Sequence, residues 1–229
     1  MKKMKNVAII TARGGSKRIP RKNIKAFLGK PIIAYSIEAA INSGLFNEVM
    51  VSTDDEEIAK VSRQYGAKIP FMRSGETSND FAITAEVIDE VIKEYQKREI
   101  NFEAICCILP TAPLIKIENL KRGFELLVEK NADIIIPIVK FHYPIQRALK
   151  MTDGKIEMFY PEFYKSRSQD LEPGYHDAAQ FYWMKFDTGL NGENKYGFEL
   201  NGILVQDIDT DEDWKLAELK YKLLNEQEK

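Results

Sequence analysis

Five cations crowd one short stretch near the start of the chain, Ala12-Arg13-Gly14-Gly15-Ser16-Lys17-Arg18-Ile19-Pro20-Arg21-Lys22-Asn23. Glycines at positions 14 and 15 let backbone N–H groups approach an anion closely. Arg13, Lys17, Arg18, Arg21 and Lys22 add dense positive charge. A flexible cradle with several cations suits a triphosphate. The stretch is neither a Walker A loop nor a dinucleotide-binding fingerprint, because the glycine spacing of both is absent. Near the other end stands Gln206-Asp207-Ile208-Asp209-Thr210-Asp211-Glu212-Asp213. In a strand, Asp207 and Asp209 share a face. A divalent cation relieves the repulsion between such a pair, and Mg²⁺ is commonly held by one or two carboxylates with phosphate oxygens and water. Asp207 and Asp209 are therefore the candidate metal ligands. Asp211 and Asp213 fit better as caps of a last helix.

The elements that must position these groups follow from hydropathy. Apolar runs at Asn6–Thr11, Glu48–Ser52, Lys68–Met72, Ala104–Leu109, Asp133–Val139 and Gly202–Ile208 read as strands. Pro31 to Ser43 reads as a helix stopped by Gly44. A second helix starts at Asp54 or Asp55 and ends near Gly66. Val87, Ile88, Val91, Ile92 and Tyr95 mark a third, and Leu120, Phe124, Leu127 and Val128 a fourth. Asp211 to Leu224 closes the chain. Alternating strands and helices predict an α/β fold with a mainly parallel sheet and helices on both faces. Ligands of such sheets bind beyond the carboxyl ends of the strands, where the basic loop lies. From about 140 to 186, prolines, aromatics and polar residues interleave. That stretch reads as a β-rich insertion within a single domain spanning 1–229, and as a lid or dimerisation arm.

Composition narrows the partners. The chain has 229 residues and a formal net charge of −2, so no global field favours nucleic acid or a membrane surface. The first apolar run, Val7 to Ile10, is too short for a signal segment or a membrane span, which predicts a cytoplasmic location. Cys106 and Cys107 are adjacent and would point to opposite faces of a strand, so they read as buried free thiols.

The basic stretch, followed by Phe27-Leu-Gly-Lys-Pro-Ile32, resembles the signature of the CMP-sugar (acylneuraminate) cytidylyltransferase family. The resemblance implies a Rossmann-like nucleotidyltransferase fold, CTP as substrate and a divalent metal, Mg²⁺, as cofactor. It implies that Arg13 and Ser16 contact the triphosphate, that Lys22 reaches the phosphates, and that Asn23 reads the nucleotide. Ala12 and Gly14 join the substrate-binding positions. Arg73 and Thr84 match an arginine and a hydroxyl residue that bind the cytosine base in the family; Thr84 also suits a helix cap. The family's metal aspartates match Asp207 and Asp209, and Arg13, Lys22 and Asp209 stand as the catalytic set. Thr11 replaces a proline common before the Ala-Arg pair.

The sugar is read from two further places. Leu109-Pro-Thr-Ala-Pro113 matches a family turn, but sialic acid enzymes carry glutamine where Leu109 stands. The insertion holds His142 to Leu149, Arg167 to Glu172 and Tyr175-His-Asp-Ala-Ala-Gln-Phe-Tyr-Trp183. These resemble the branch of the family that acts on pseudaminic acid, a diacylamido nonulosonic acid, with Ala179 where glycine is expected. Arg147 or Arg167 can pair a sugar carboxylate. Gln180 and Asp177 can bond hydroxyl or amide groups. Tyr182 and Trp183 offer stacking surface, or core. His142 and His176 read as structural rather than acid–base groups. The resemblance also implies a homodimer through the insertion. Alternatives are transfer to N-acetylneuraminate or a legionaminate, or a non-catalytic nucleotide-binding protein on the same fold.

Overall fold

The computed structural model describes residues 4–226. β1 (Asn6–Thr11) is apolar along nearly its whole length and is an interior strand of a seven-stranded sheet. β4 (Glu48–Ser52) and β5 (Ala104–Ile108) flank it, both parallel to it. β6 (Ile134–Lys140) and β10 (Phe181–Lys185) extend the sheet, with β10 inserted antiparallel between β5 and β6. β11 (Lys195–Glu199) runs parallel to β6 at the edge, and β9 (Tyr175–Asp177) pairs antiparallel with β6. Five of the seven strands thus share one direction, and their carboxyl ends define one rim. β2 (Ala26–Phe27) and β3 (Lys30–Pro31) form a small hairpin after the basic loop. β7 (Leu149–Thr152) and β8 (Lys155–Met158) form another, separate from the main sheet.

Helices cover both faces. α1 (Ile32–Ser43) ends at Gly44, whose φ of 66° is the left-handed stop that glycine adopts freely. α2 (Glu56–Gln64) is capped by Asp55, whose carboxylate accepts from the N–H groups of Glu57 and Ile58. Ile33, Ile37 and Leu120 pack on one face of the sheet with Cys106; Ile88, Val91 and Tyr95 pack on the other with Cys107. Those last three belong to α3 (Thr84–Gln96), while Leu120 comes from α4 (Ile117–Glu129). The two thiols are buried, free and on opposite faces, as strand alternation requires. α5 (Asp211–Glu226) packs Trp214 and Ala217 against Ile19, Phe27, Ile32 and Tyr35. Among the described residues, no helix is long and apolar enough to cross a membrane.

The structure corrects the sequence reading at four places. Lys68–Met72 is not a strand: only Lys68 bridges to β4, exchanging backbone bonds with Val49 and Val51. Pro70, which has no N–H, follows two residues later. Gly202–Ile208 is not a strand either. Asn201 Oδ1 accepts from Ile203 N–H and turns residues 202–204 into a 3₁₀ helix. Lys220 Nζ then donates to the carbonyls of Gly202 and Val205, satisfying them without a partner strand. The stretch 140–186 does not stay outside the sheet, because β9 and β10 belong to it and Phe181 and Trp183 are core. Only about 141–174, the expected arm, lies outside the main sheet. Finally, β11 carried no strand signal: Lys195-Tyr-Gly-Phe-Glu199 is mostly exposed, and it is held by backbone bonds to β6 and by Phe198, which packs on the core beside Phe181.

Gly123 shows how closely α4 sits on β10. A Cβ there would lie 2.7 Å from a ring carbon of Trp183, whose Nε1 donates to Leu120 O. Helix propensity alone favours alanine over glycine by ~1 kcal/mol. We expect the clash to win, so Gly123→Ala should lower stability by about 1–3 kcal/mol in urea unfolding, and adding Trp183→Phe should recover part of the loss.

Candidate active site

The basic loop is held in shape by its own polar groups. Ala12 N–H continues the sheet by donating to Ser52 O. Gly14 N–H donates to Asp54 Oδ1 at 2.9 Å. A Cβ on Gly14 would lie 2.7 Å from Asp55 Oδ2, so a side chain there would displace the α2 cap; Gly15 faces open space. Asn23, buried, donates from Nδ2 to Arg13 O at 2.9 Å and closes the loop on itself. Arg21 takes a left-handed φ of 56° and pairs with both oxygens of Asp55 and with Glu57. Arg21 is therefore a brace, not a free phosphate ligand. Its guanidinium, with the backbone N–H groups of α2, holds the Asp55 carboxyl down at about 2.

The remaining cations point to the rim. Arg13 donates to Asn79 O at 2.9 Å and Asp80 Oδ1 at 3.1 Å, and Lys17 pairs with the other oxygen of Asp80. Asp80 was not singled out from sequence. Its presence in a turn is legible, however, since Asn79 Oδ1 accepts from Phe81 and Ala82 N–H. Arg18 meets Asp209 at 2.9 Å. Lys22 reaches Asp209 Oδ1 at 3.3 Å and Ile208 O at 2.6 Å. Ser16 sits half-buried on the loop, its N–H bonded to Gly14 O.

The acidic stretch is extended rather than strand-paired, yet its geometry still joins Asp207 to Asp209. Ile208 between them is fully buried. Partial desolvation, then repulsion from Asp209, pushes the Asp207 carboxyl up. Thr210, not Asp211 or Asp213, caps α5: its Oγ1 accepts from Asp213 N–H, and the Asp213 carboxylate accepts in return from Thr210 and Asp209 N–H, while Asp211 pairs with Lys25. A cation between Asp207 and Asp209 would relieve their repulsion. Among the described residues no cluster of three or more histidine, cysteine, aspartate or glutamate side chains stands ready for a metal. A two-carboxylate set fits a hard cation that completes its shell with phosphate oxygens and water.

Arg73 is buried, and its guanidinium donates to Ser52 Oγ at 3.0 Å and Ser52 O at 2.6 Å at the carboxyl end of β4. Burial pulls its pKa down. Thr84 is the first residue of α3 and half-buried; Ile83, not Thr84, precedes the helix. At the end of β9, Asp177 accepts from Ala179 N–H at 2.7 Å and from Tyr182 OH at 2.6 Å. Ala179 takes a φ of 50°, the conformation glycine would adopt without strain. Burial, then Asp177 and more weakly Asp207, raises the Tyr182 phenol, so this tyrosine stays protonated beside the acidic stretch. Gln180 is buried and donates from Nε2 to Leu204 O.

Two expected groups lie elsewhere. Arg167 is exposed on the arm and paired with Asp170 three residues on. Arg147 reaches Ser168 on the same arm. His176 Nδ1 donates to Asp177 O and its ring packs on Phe141, a structural placement. Ala12, Arg13, Gly14, Ser16, Lys22, Asn23 and Asp209 are thus brought together by the loop's own bonds and the Lys22–Asp209 contact, with Arg73 beside Ser52 and Gln180 beside Leu204 at the same rim.

Comparison with known proteins follows the same outline. A family model described as "Cytidylyltransferase" matches residues 7–213. A protein of Campylobacter jejuni named pseudaminic acid cytidylyltransferase is 44% identical over 230 residues, covering 97% of this chain and 99% of the relative. A Legionella pneumophila protein named CMP-N,N'-diacetyllegionaminic acid synthase is 30% identical over 97% of this chain and 99% of its own length. The solved structure of a CMP:2-keto-3-deoxy-manno-octonic acid synthetase complexed with CTP superposes with a TM-score of 0.68 at 17% identity, covering 97% of this chain and 99% of that one. At that identity the superposition speaks for the fold.

The Arg21–Asp55 brace generates a pH prediction. Asp55 has a folded value below its ordinary 3.8, so its contribution is complete above about pH 4 and is lost as pH falls toward 2. Asparagine can still cap α2 but cannot pair with Arg21. Asp55→Asn should cost about 1–2 kcal/mol near pH 7 in denaturant melts, and the gap from the parent protein should close as pH approaches 2.

Proposed function

Because the chain belongs to the cytidylyltransferase family, we propose that it transfers CMP from CTP to the anomeric hydroxyl of pseudaminic acid, releasing pyrophosphate. The observation that carries this reading is the meeting of Lys22 with Asp209 and Ile208, which joins the basic loop to the carboxylate pair across 187 positions of sequence. A site with cations on one wall and carboxylates on the other suits a triphosphate with its counter-cation. The similarity to the Campylobacter jejuni enzyme over 97% of the chain supports the sugar, as does Leu109 in place of the glutamine of sialic acid enzymes.

The anomeric oxygen attacks the α-phosphorus and its proton passes to water, while the bond from the α-phosphorus to the bridging oxygen breaks and its electron pair leaves with pyrophosphate. Arg13, Lys17 and Lys22 hold the phosphate oxygens, with Ser16 and the backbone of Ala12 and Gly14 lining the cradle. Asn23 keeps Arg13 O fixed and so keeps the loop open toward the nucleotide. Arg73 and Thr84 frame the base. Gln180 contacts the sugar; the arm, carrying Arg147 and Arg167, supplies the sugar carboxylate with a cation if it closes over the cleft. Asp207 and Asp209 would hold Mg²⁺, which when bound neutralises charge on the phosphates and the leaving group. Lys22 orients Asp209 toward that position. The arm carries exposed Tyr143, Met151, Ile156 and Tyr164, apolar surface that a second copy would bury, so the active protein is a homodimer. A cytoplasmic location suits a reaction that draws on CTP.

The reading is tested by pyrophosphate release from CTP and Mg²⁺ with a panel of nonulosonic acids. Selective turnover of pseudaminic acid is expected. Preferred turnover of N-acetylneuraminate or a legionaminate would keep the chemistry and overturn the sugar. No turnover by folded, CTP-binding protein would favour a non-catalytic role. Asp209→Asn should lower turnover by about a thousandfold, the scale of losing one charge-stabilising group, while circular dichroism stays native. Light scattering should return twice the chain mass; a monomer mass at working concentration would remove the dimer.

A further inference from the structure

Gln180 lies one residue before β10, with its main-chain oxygen accepting from Leu109 N–H at 2.8 Å. Its side chain is almost completely buried, at 2% exposure. The amide orientation is fixed by chemistry. Leu204 O can only accept, so the group 2.5 Å from it must be the NH₂. Oε1 therefore points the other way, and among the described residues this buried oxygen accepts from nothing. A buried acceptor without a donor is destabilising, and natural interiors hold few of them.

The place of this oxygen suggests what satisfies it. Leu109, the cross-strand neighbour, follows β5 at the active-site rim. Leu204 stands three residues before Asp207, and Tyr182, two residues after Gln180, feels the charge of Asp207. Gln180 thus stands where backbone from the end of β5 and from the segment leading to Asp207 meets β10. One buried acceptor with no donor matches a ligand group that brings a donor and nothing else. An amide N–H does so. A hydroxyl also brings lone pairs that need donors of their own.

We propose that Gln180 Oε1 is a specificity-determining acceptor for an acylamido N–H of the sugar. This rests on the reading of the cleft as a nonulosonic acid cytidylyltransferase. Leu204 thereby acts as a positioning group, since its carbonyl decides which end of the amide faces the substrate.

The test is Gln180→Met, which keeps side-chain length and removes the acceptor. We expect a tenfold to hundredfold rise in KM for the preferred sugar, roughly the scale of one lost hydrogen bond with its partner unsatisfied. KM for CTP should stay within about twofold, the range of ordinary indirect effects. The melting temperature should fall by only about 2–4 °C, because the variant loses one bond while exchanging one orphan acceptor, Gln180 Oε1, for another, Leu204 O. The parent enzyme should also favour an acylamido sugar over its hydroxyl-for-acylamido analogue, and the variant should lose that preference. Gln180→Glu gives a second handle. When protonated, its carboxyl can donate to Leu204 O and present the same carbonyl oxygen, so its sugar KM should rise as pH rises and the carboxyl ionises. An unchanged sugar KM in folded Gln180→Met overturns the proposal. So does a parallel rise of both KM values with a larger fall in melting temperature, which marks a merely structural glutamine. If the parent enzyme prefers a different acylamido nonulosonate, the same ratios are read on that sugar, and the error lies in the sugar's identity. Turnover of no sugar overturns both readings together.

Discussion

Two buried isoleucines set the geometry on which everything else depends. Ile19 interrupts the cationic loop, and Ile208 interrupts the pair Asp207 and Asp209. Both are buried in one cluster with Phe27, Ile32, Tyr35 and Trp214. The aromatic members meet edge to face, Phe27 with Tyr35 at 5.4 Å and with Trp214 at 5.6 Å. Burying a side chain of this size is worth about 1.5–3 kcal/mol. An exposed ion pair contributes about 0–1 kcal/mol. The apolar anchors, not the Lys22–Asp209 contact, therefore supply most of the energy that brings the two charged segments together. The polar contact then fixes their relative orientation.

The same difference in magnitude explains why so much opposite charge can gather at the rim and still be usable. Arg13 and Lys17 rest on Asp80, Arg18 and Lys22 on Asp209, and Gly14 N–H on Asp54. Most of these partners are substantially exposed, so each contact is weak and screened. A triphosphate carries more charge than any single carboxylate and can take these cations at modest cost. Arg21 is the exception. Its pairing with the α2 cap is tighter and more enclosed, and it serves the scaffold, holding the loop's far end while its other residues stay exchangeable.

The sheet's central strands and all five helices were legible because their apolar residues recur at strand or helix spacing and their ends carry recognisable caps, such as Asp55 and Gly44. The cleft was legible because close-packed cations, glycines and paired carboxylates are local features of sequence. What escaped depended on non-local bonding. β11 is short and mostly exposed, and only pairing with β6 makes it a strand. Residues 202–208 have a strand's composition, but Asn201 and Lys220 satisfy their backbone by other means. Phe181 and Trp183 sit in a stretch whose aromatics read equally as a pocket or as core, and only pairing with β5 decides for core. Asp80 looked like one turn residue among many until the fold laid it on Arg13. Ala179 stood where glycine was expected, and its positive φ shows the turn keeping glycine's conformation without the residue.

The central claim is that the loop of residues 12–23 and the pair Asp207 and Asp209 act on one triphosphate. A crystal structure with CTP and Mg²⁺ tests it directly. The account predicts phosphate oxygens within hydrogen-bonding distance of Arg13, Ser16 and Lys22, and a cation shared between those phosphates and the carboxylates of Asp207 and Asp209. A triphosphate bound away from the loop, or a cation coordinated without either aspartate, would contradict it.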